Sequence, residues 1–290
     1  MPLDRSKDWN HYWITLILVV ALIGLSGCSR YQLAYNNLDT LLLDRIDDYA
    51  NLTSKQQLQM ERLLDRAHRL HRQQRLPAYS QLLQQVRHDL MRSELDSETL
   101  ILMFEQVEQQ WAQLRADAEP LLRELFLQIS PEQRKRMMVR LERDLAKRLR
   151  VYQQRSAQQQ IEHRYLRYQK RLKFWIGSLT QQQQLSLRRF TEGLPDTTQA
   201  WLDYRKQWLS TFDLALQQRD WHQFEQLVLQ PQRLRPPELR QQLKHSRQQW
   251  AGFLAQQLGQ LQESQQQNLL EELDQLITDL DELHRQGMEP

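Results

Sequence analysis

Apolar residues recur every three or four positions along most of the chain, which is the spacing of one face of an α-helix. Capping residues and prolines mark where successive stretches begin, as at Asp96–Ser97 and at Ser130–Pro131. Pro120 is expected to kink or restart the helix in which it lies. The pattern predicts helices that begin at Pro77 and at Ser97. It also predicts helices over residues 30–50, 54–74, 132–176, 181–192, 196–218, 220–229, 238–260 and 264–286.

The stretch 132–176 contains no Pro or Gly, so a continuous helix there would be about 65 Å long. Its polar middle, residues 153–160, is either a solvated part of that helix or a break. The chain has only 7 Gly and 9 Pro but 46 Gln, and straight-chain residues such as Gln favour helix. We therefore expect an all-α fold, an elongated multi-helix bundle of antiparallel helical hairpins with one long central helix.

Four predicted helix starts share an apolar residue, a cap position and a Gln three residues after the cap. Three have the Ser/Thr-x-x-Gln form of a capping box, and the fourth has Gln at the cap. Their Gln residues are separated by 77, 50 and 82 positions, a long-short-long pattern that an internal duplication would produce; common capping preferences in a Gln-rich chain would also produce it. The starts are Leu52-Thr53-x-x-Gln56, Ile129-Ser130-x-x-Gln133, Leu179-Thr180-x-x-Gln183 and Leu261-Gln262-x-x-Gln265.

The first 27 residues have the layout of a signal peptide. Residues 14–25 form an apolar run that is too short to span a bilayer as a permanent helix. We expect a signal peptide over residues 1–27, a helical region over 28–178 and a second over 179–290, with the two regions either separate or packed as one domain.

Leu25-Ser26-Gly27-Cys28 follows the apolar run and resembles the lipobox of bacterial lipoproteins. That resemblance implies acylation of the Cys28 sulfur, cleavage before Cys28 and a stable membrane anchor. Ser29 in the next position is similar to the sorting signal for the outer membrane, which implies a domain that faces the periplasm. The alternative is an uncleaved anchor with an incidental cysteine.

The block from Cys28 to Tyr49, with Leu52-Thr53 and Leu76-Pro77-Ala78-Tyr79, resembles a proteobacterial lipoprotein family of unknown function. The resemblance is strongest over residues 28–83 and implies an all-α lipoprotein without known catalytic residues. The Leu-Thr-x-x-Gln starts are also similar to those of periplasmic helical chaperones of the Spy and CpxP kind and of helical lipase chaperones.

Candidate chemistry is sparse. His68 and His71 are three positions apart on a predicted helix, with Asp65 one turn earlier, but this spacing more simply describes an exposed polar face than a metal site. Motifs of nucleophilic, zinc-dependent and phosphate-binding enzymes are missing from the sequence. We therefore predict no catalytic residues, no cofactor, no metal and no enzymatic activity.

Charge is distributed unevenly along the chain. Residues 134–173 contain 14 Lys or Arg against three acidic residues, whereas residues 261–290 contain eight acidic residues and only Arg285. Either the acidic helix packs beside the basic one, or the basic side chains form a face for an anionic partner. The candidates for that face are Arg134, Arg140, Arg143, Lys147, Arg150, Arg164, Arg167 and Lys170.

An aromatic set recurs at helical spacing within the stretch 196–218. It predicts either core packing or an apolar groove between helices. The set consists of Trp201, Tyr204, Trp208 and Phe212.

These features favour an outer-membrane-anchored periplasmic lipoprotein that acts as a non-enzymatic binding or chaperone-like protein, with a structural or scaffolding lipoprotein as the alternative. The membrane is one expected partner, and an envelope protein, an unfolded polypeptide or an anionic lipid is another. The export signal and a net charge of only +3 argue against a nucleic-acid partner.

Overall fold

A computed structural model describes residues 29–92 and 94–288. The predicted signal peptide, the lipobox residues Leu25, Ser26 and Gly27, and the lipidation site Cys28 lie outside the described residues. The predicted all-α, multi-helix bundle is confirmed.

The α-helices are numbered here in chain order. A π-helical turn, His71–Arg75, joins α3 to α4, and a 3₁₀ turn, Pro231–Leu234, precedes α12. The α-helices are α1 (Ser29–Asn36), α2 (Leu38–Ala50), α3 (Ser54–Leu70), α4 (Leu76–Met91), α5 (Ser97–Asp117), α6 (Glu119–Gln128), α7 (Pro131–Gln153), α8 (Ala157–Ile176), α9 (Gln181–Gly193), α10 (Thr198–Gln218), α11 (Trp221–Leu229), α12 (Pro237–Leu258) and α13 (Glu263–Gln286).

Residues 132–176 form two helices, α7 and α8, and not one long central helix, so the predicted alternative of a break within residues 153–160 is confirmed. Ser156 begins α8 with a capping box: its Oγ accepts from the Gln159 N–H at 3.2 Å, and its own N–H donates to Gln159 Oε1 at 2.9 Å. A capping box satisfies backbone donors that a continuous helix would bond internally, so it favours a new start.

The longest unbroken helical run is instead α3, the π-helical turn and α4 together, residues 54–91, which is about 57 Å long. The predicted helix start at Pro77 is confirmed within one residue, because α4 begins at Leu76 with Pro77 in its first turn. Helix α4 follows the π-helical turn without a gap. Pro77 has no N–H to offer the carbonyl four residues earlier, and directly before it the Leu76 N–H bonds to the carbonyl of His71, five residues back. The predicted helix over residues 30–50 is interrupted once, at Asn37.

Three apolar clusters form the core. The first draws on α4, α5, α8, α9, α12 and α13 and includes Tyr165 and Leu273. The second joins α6, α7, α10, α11 and α12 around Phe126 and Phe212, and a smaller third cluster joins α2, α3 and α6. The two larger clusters each contain residues from both sides of position 178, so the two predicted helical regions pack against each other.

The four predicted capping boxes all form, and they meet in two pairs. The side-chain amides of Gln56 and Gln133 exchange hydrogen bonds of 3.2 and 2.8 Å. Those of Gln183 and Gln265 exchange bonds of 3.0 and 2.9 Å. The hydrogen bonding at the start of α3 and α7 is thus repeated at the start of α9 and α13, as an internal duplication would require.

Candidate anionic-partner surface

Helix α7 carries five exposed cations on one side. They are spaced four, three, four and three positions apart, which keeps them on one helical face. The row extends over about 21 Å, and it is called the α7 stripe below. Its members are Arg136, Arg140, Arg143, Lys147 and Arg150.

The opposite side of α7 fixes the direction in which the stripe points. Met137 and Met138 are buried in the second apolar cluster, and Leu141 and Leu145 pack against it. Helix α7 contacts α10 and α2 through this side. Burying an apolar side chain of this size stabilises the fold by about 1.5–3 kcal/mol, so α7 cannot rotate its stripe inward without a large cost.

The start of α7 is fixed as well. Ser130 caps the helix, and Pro131 occupies the first helical turn, where its missing N–H costs nothing. The Gln133 amide then donates to the Asn51 carbonyl at 2.9 Å, which joins this end of α7 to the end of α2. The stripe therefore lies on a rigid element.

Two carboxylates border the stripe on the side of α2. Asp48 lies 3.9 Å from Arg140, and both side chains are largely exposed, so this pair contributes little attraction in water. Asp144 accepts a 2.7 Å hydrogen bond from the Tyr49 hydroxyl, which in turn accepts from Arg45 at 2.9 Å. The stripe as a whole keeps an excess of positive charge.

The structure divides the predicted basic residues into two groups. Arg140, Arg143, Lys147 and Arg150 belong to the stripe, while Arg134, in contrast, is bound to Asp213 of α10 at 2.5 Å. Sequence analysis missed Arg136, although its position four residues before Arg140 continues the same spacing.

The remaining predicted cations lie on α8. Arg164 donates to the carbonyls of Thr191 and Leu194, at 3.2 and 2.5 Å, and so stabilises the end of α9. The guanidinium of Arg167 lies 5.8 Å from the centre of the Tyr168 ring, and Lys170 is exposed. The acidic helix α13 packs against α4 and α8, with Asp274 bound to Arg87 of α4 at 2.5 Å.

Three of the four residues of the predicted groove are part of the core. Tyr204, Trp208 and Phe212 are 5%, 9% and 7% exposed. The Tyr204 hydroxyl donates to the Pro231 carbonyl at 2.8 Å, and the Trp208 ring N–H donates to the Leu227 carbonyl at 3.0 Å. Trp201 alone borders a shallow cleft of about 90 Å³ between α7 and α10. The aromatic set therefore mainly holds α10 to α11 and to the turn that follows.

The two candidate metal-binding histidines contact tyrosines. His71 Nδ1 lies 2.6 Å from the Tyr35 hydroxyl and Nε2 lies 3.4 Å from the Tyr79 hydroxyl. Burial lowers the pKa of His71 to about 4 and raises the pKa of Tyr79 to about 12. Within residues 29–92 and 94–288, no group of three or more His, Cys, Asp or Glu side chains is placed to hold a metal ion.

No helix in the described part of the chain combines the length and the apolar character that crossing a bilayer requires.

No curated protein and no solved structure is significantly similar to the chain. A family model with the description "Family of unknown function (DUF6279)" matches residues 48–240, which include the whole of α7. Because the match covers well over half of its length, the chain belongs to this family of unknown function.

Proposed function

We propose that this protein is an outer-membrane-anchored periplasmic lipoprotein that binds anionic lipid headgroups, without catalysis, through the α7 stripe. The observation that carries the binding role is the stripe itself. It sets five exposed cations at a regular spacing on a helix whose other side is packed into the core.

The proposed anchor rests on the sequence. Leu25-Ser26-Gly27-Cys28 follows a short apolar run, and Ser29, the residue after the cysteine, belongs to α1. A lipid on Cys28 would therefore keep the helical body close to the membrane surface, where anionic headgroups are concentrated. Each cation that approaches such a surface contributes on the order of 1 kcal/mol of attraction.

A chaperone-like role has less support. The Leu-Thr-x-x-Gln starts, which motivated it, use their glutamine amides inside the fold, and Tyr204, Trp208 and Phe212 are buried. We therefore favour a charged surface over an apolar groove as the binding element.

Binding to vesicles tests the proposed surface. The chain from residue 28 onward, with Cys28→Ser so that no lipid is attached, is mixed with phosphatidylcholine vesicles with or without phosphatidylglycerol. We expect binding only to the anionic vesicles, weakened by salt because exposed charges are screened over about 8 Å at physiological ionic strength. Changing Arg136, Arg140, Arg143, Lys147 and Arg150 to Gln should weaken binding at least about tenfold.

The control variant removes the same charge from scattered exposed positions, with Lys55, Arg62, Arg189, Lys206 and Lys244 changed to Gln. Equal loss of binding in both variants would show that net charge alone attracts the protein, and would overturn the role of the stripe. Failure of the wild-type chain to bind anionic vesicles would exclude lipid and leave an acidic protein segment as the partner to test. The anchor is tested separately, by mass spectrometry of the native protein for an acylated Cys28.

A further inference from the structure

Helix α1 is held to the rest of the molecule at the π-helical turn, through a small cluster of rings. The Tyr35 hydroxyl of α1 lies 2.6 Å from His71 Nδ1, and the Tyr79 hydroxyl lies 3.4 Å from His71 Nε2. The Tyr35 ring also packs on the ring of His68, with their centres 4.8 Å apart. This cluster of Tyr35, His68, His71 and Tyr79 is called the His–Tyr cluster below.

Further hydrogen bonds join the described side chains of α1 to the rest of the molecule. Arg72 donates to Asn36 Oδ1 at 2.5 Å and lies over the Tyr35 ring, and Asn36 donates to Gln286 at 3.4 Å. Gln32 donates to Asp279 of α13 at 3.3 Å. None of the side chains from Gln32 to Asn36 is fully buried, and the helix is interrupted at Asn37. The side chains from Gln32 to Asn36 are thus held mainly by hydrogen bonds and ring contacts, and a turn at Asn37 separates α1 from α2.

Two cations lie near His71, Arg72 and Arg75 of its own helical run, together with the imidazole of His68. From α13, His284 Nδ1 lies 2.9 Å from the Arg72 carbonyl. The acidic neighbour is Asp117 of α5, but both of its carboxylate oxygens accept from Arg75, at 2.6 and 2.8 Å. A proton on His71 would therefore be placed among cations, opposite a carboxylate that is already paired.

His68 adds a second unfavourable site for a proton. Its Nε2 is buried without a hydrogen-bond partner among the described residues, and its Nδ1 lies 3.9 Å from Asp39 of α2. Burial and the neighbouring Arg72 lower the pKa of His68, while Asp39 and Asp65 raise it. Burial therefore favours the neutral form of both histidines of the cluster while α1 is docked.

We propose that the His–Tyr cluster is a pH-sensitive latch that holds α1 on the π-helical turn at neutral pH and releases it in acid. π-Helical turns occur often at functional sites, and this one presents His71 to α1. The driving force is the cost of a buried charge and not the loss of a hydrogen bond, because the Tyr35 hydroxyl could turn and accept from a protonated Nδ1.

The direction of the pH dependence follows from the pKa of His71. This pKa is about 4 when α1 is docked and close to 6.5 when the ring is exposed to water. Between these values the released state binds more protons, so each unit of falling pH favours release by up to tenfold. Asp279, beneath Gln32, acts in the opposite direction: burial raises its pKa, so docking is favoured when its carboxyl is protonated. Release would free residues 29–37, a span of about 30 Å when extended.

Distances between two spin labels test the latch. Labels are attached at Leu33→Cys on α1, which is 65% exposed, and at the exposed Gln81→Cys on α4, in the chain from residue 28 with Cys28→Ser. We expect one narrow distance distribution at about pH 7.5 and a broad, longer one at about pH 4.5, where the ratio of released to docked molecules is up to about 100-fold higher. A second pair, Gln81→Cys and the exposed Thr278→Cys on α13, should keep its distance at both pH values.

The matched variant is His71→Gln, which keeps hydrogen-bonding atoms but cannot gain a charge in this range. Its distance distribution should broaden clearly less than that of the wild type at about pH 4.5, because only His68 of the cluster can still be protonated. A wild-type distribution that stays narrow at low pH, or a His71→Gln protein that broadens in acid as the wild type does, would overturn the proposal. If His71→Gln loosens α1 already at neutral pH, NMR titration of the wild-type histidines decides: broadening must follow the protonation of His71, and a midpoint that follows another group would overturn the latch.

Discussion

Gln133 and Gln265 have the same hydrogen-bond partners in two different parts of the molecule. Each donates to the side-chain oxygen of a partner glutamine, Gln56 or Gln183, at 2.8 and 2.9 Å. Each also donates to the backbone carbonyl five residues before that partner, which belongs to Asn51 or Ser178, at 2.9 and 2.7 Å. One amide group therefore completes a helix cap and joins two helix starts that are far apart in sequence.

This dual role requires glutamine and not glutamate. Either residue can accept from the cap N–H, but only the amide can also donate to two oxygens. In Gln133→Glu a carboxylate would face the Asn51 carbonyl and the Gln56 side-chain oxygen, and Gln133 is 6% exposed. We expect the free energy of unfolding to fall by about 3 kcal/mol at neutral pH, as measured by urea denaturation, and by less near pH 4, where the protonated carboxyl can donate one bond.

Gln159→Glu is the control for this substitution. Gln159 closes the capping box of α8 but is exposed. Its replacement should therefore change stability by no more than about 0.5 kcal/mol. An equal loss in both variants would mean that the cap, and not the paired amides, requires glutamine.

A double-mutant cycle tests whether the two glutamines of a pair act together. Gln56→Ala and Gln133→Ala should couple by about 1 kcal/mol, because either substitution alone already removes their mutual hydrogen bonds. Gln56→Ala combined with Gln265→Ala should be additive within about 0.5 kcal/mol, since these residues belong to different pairs. Similar coupling in both cycles would indicate a general loss of structure instead of a local pair.

Two glycines should respond to alanine in opposite ways. Gly177, which ends α8, has φ +72° and ψ −130°, a conformation that residues with a Cβ rarely adopt, so Gly177→Ala should destabilise the protein by roughly 1–3 kcal/mol. Gly252 lies inside α12, and a Cβ there would meet nothing within 4 Å. Gly252→Ala should therefore raise the free energy of unfolding by about 0.5–1 kcal/mol. Thermal unfolding followed by circular dichroism measures both, and a shift of the same sign would refute the prediction.

Acid should weaken the fold through His71. The pKa of about 4 in the folded protein lies below the value near 6.5 of an unfolded chain, because the ring is buried. The contribution of neutral, buried His71 to the free energy of unfolding is complete above pH 6.5. It falls by as much as about 3 kcal/mol as the pH decreases toward 4. The free energy of unfolding is measured as a function of pH for the wild type and for His71→Gln. A difference between the two proteins that does not vary between pH 4 and 6.5 would contradict the assignment of this pH dependence to His71.

Helix starts could be predicted because a cap is a local device. Thr53, Ser130 and Thr180 each bond to a Gln three residues later, and the structure has a helix start at each of them. Ser156-x-x-Gln159 carries the same signal within residues 153–160, where the periodicity alone left a break and a solvated helix as alternatives. The break between α7 and α8 was therefore readable from the sequence.

Other features depend on contacts that periodicity does not contain. The spacing of Trp208 and Phe212 defines an apolar face whether that face meets a ligand or another helix, and only the packing of α10 on α11 distinguishes the two. Similarly, a count of positive residues could not separate Arg134, which is bound to Asp213, from Arg143, which is exposed. The π-helical turn before Pro77 has no simple sequence signal, because a proline more often ends a helix than lies within one.

The paired amides also bear on the order in which the molecule can assemble. The bonds around Gln56 and Gln133 involve residues no later than 133, whereas those around Gln183 and Gln265 lie wholly between 178 and 265. Each set of bonds thus lies within a segment of about eighty residues and joins two helix starts of that same segment. An emerging polypeptide can form the first set of bonds before the second segment has been synthesised.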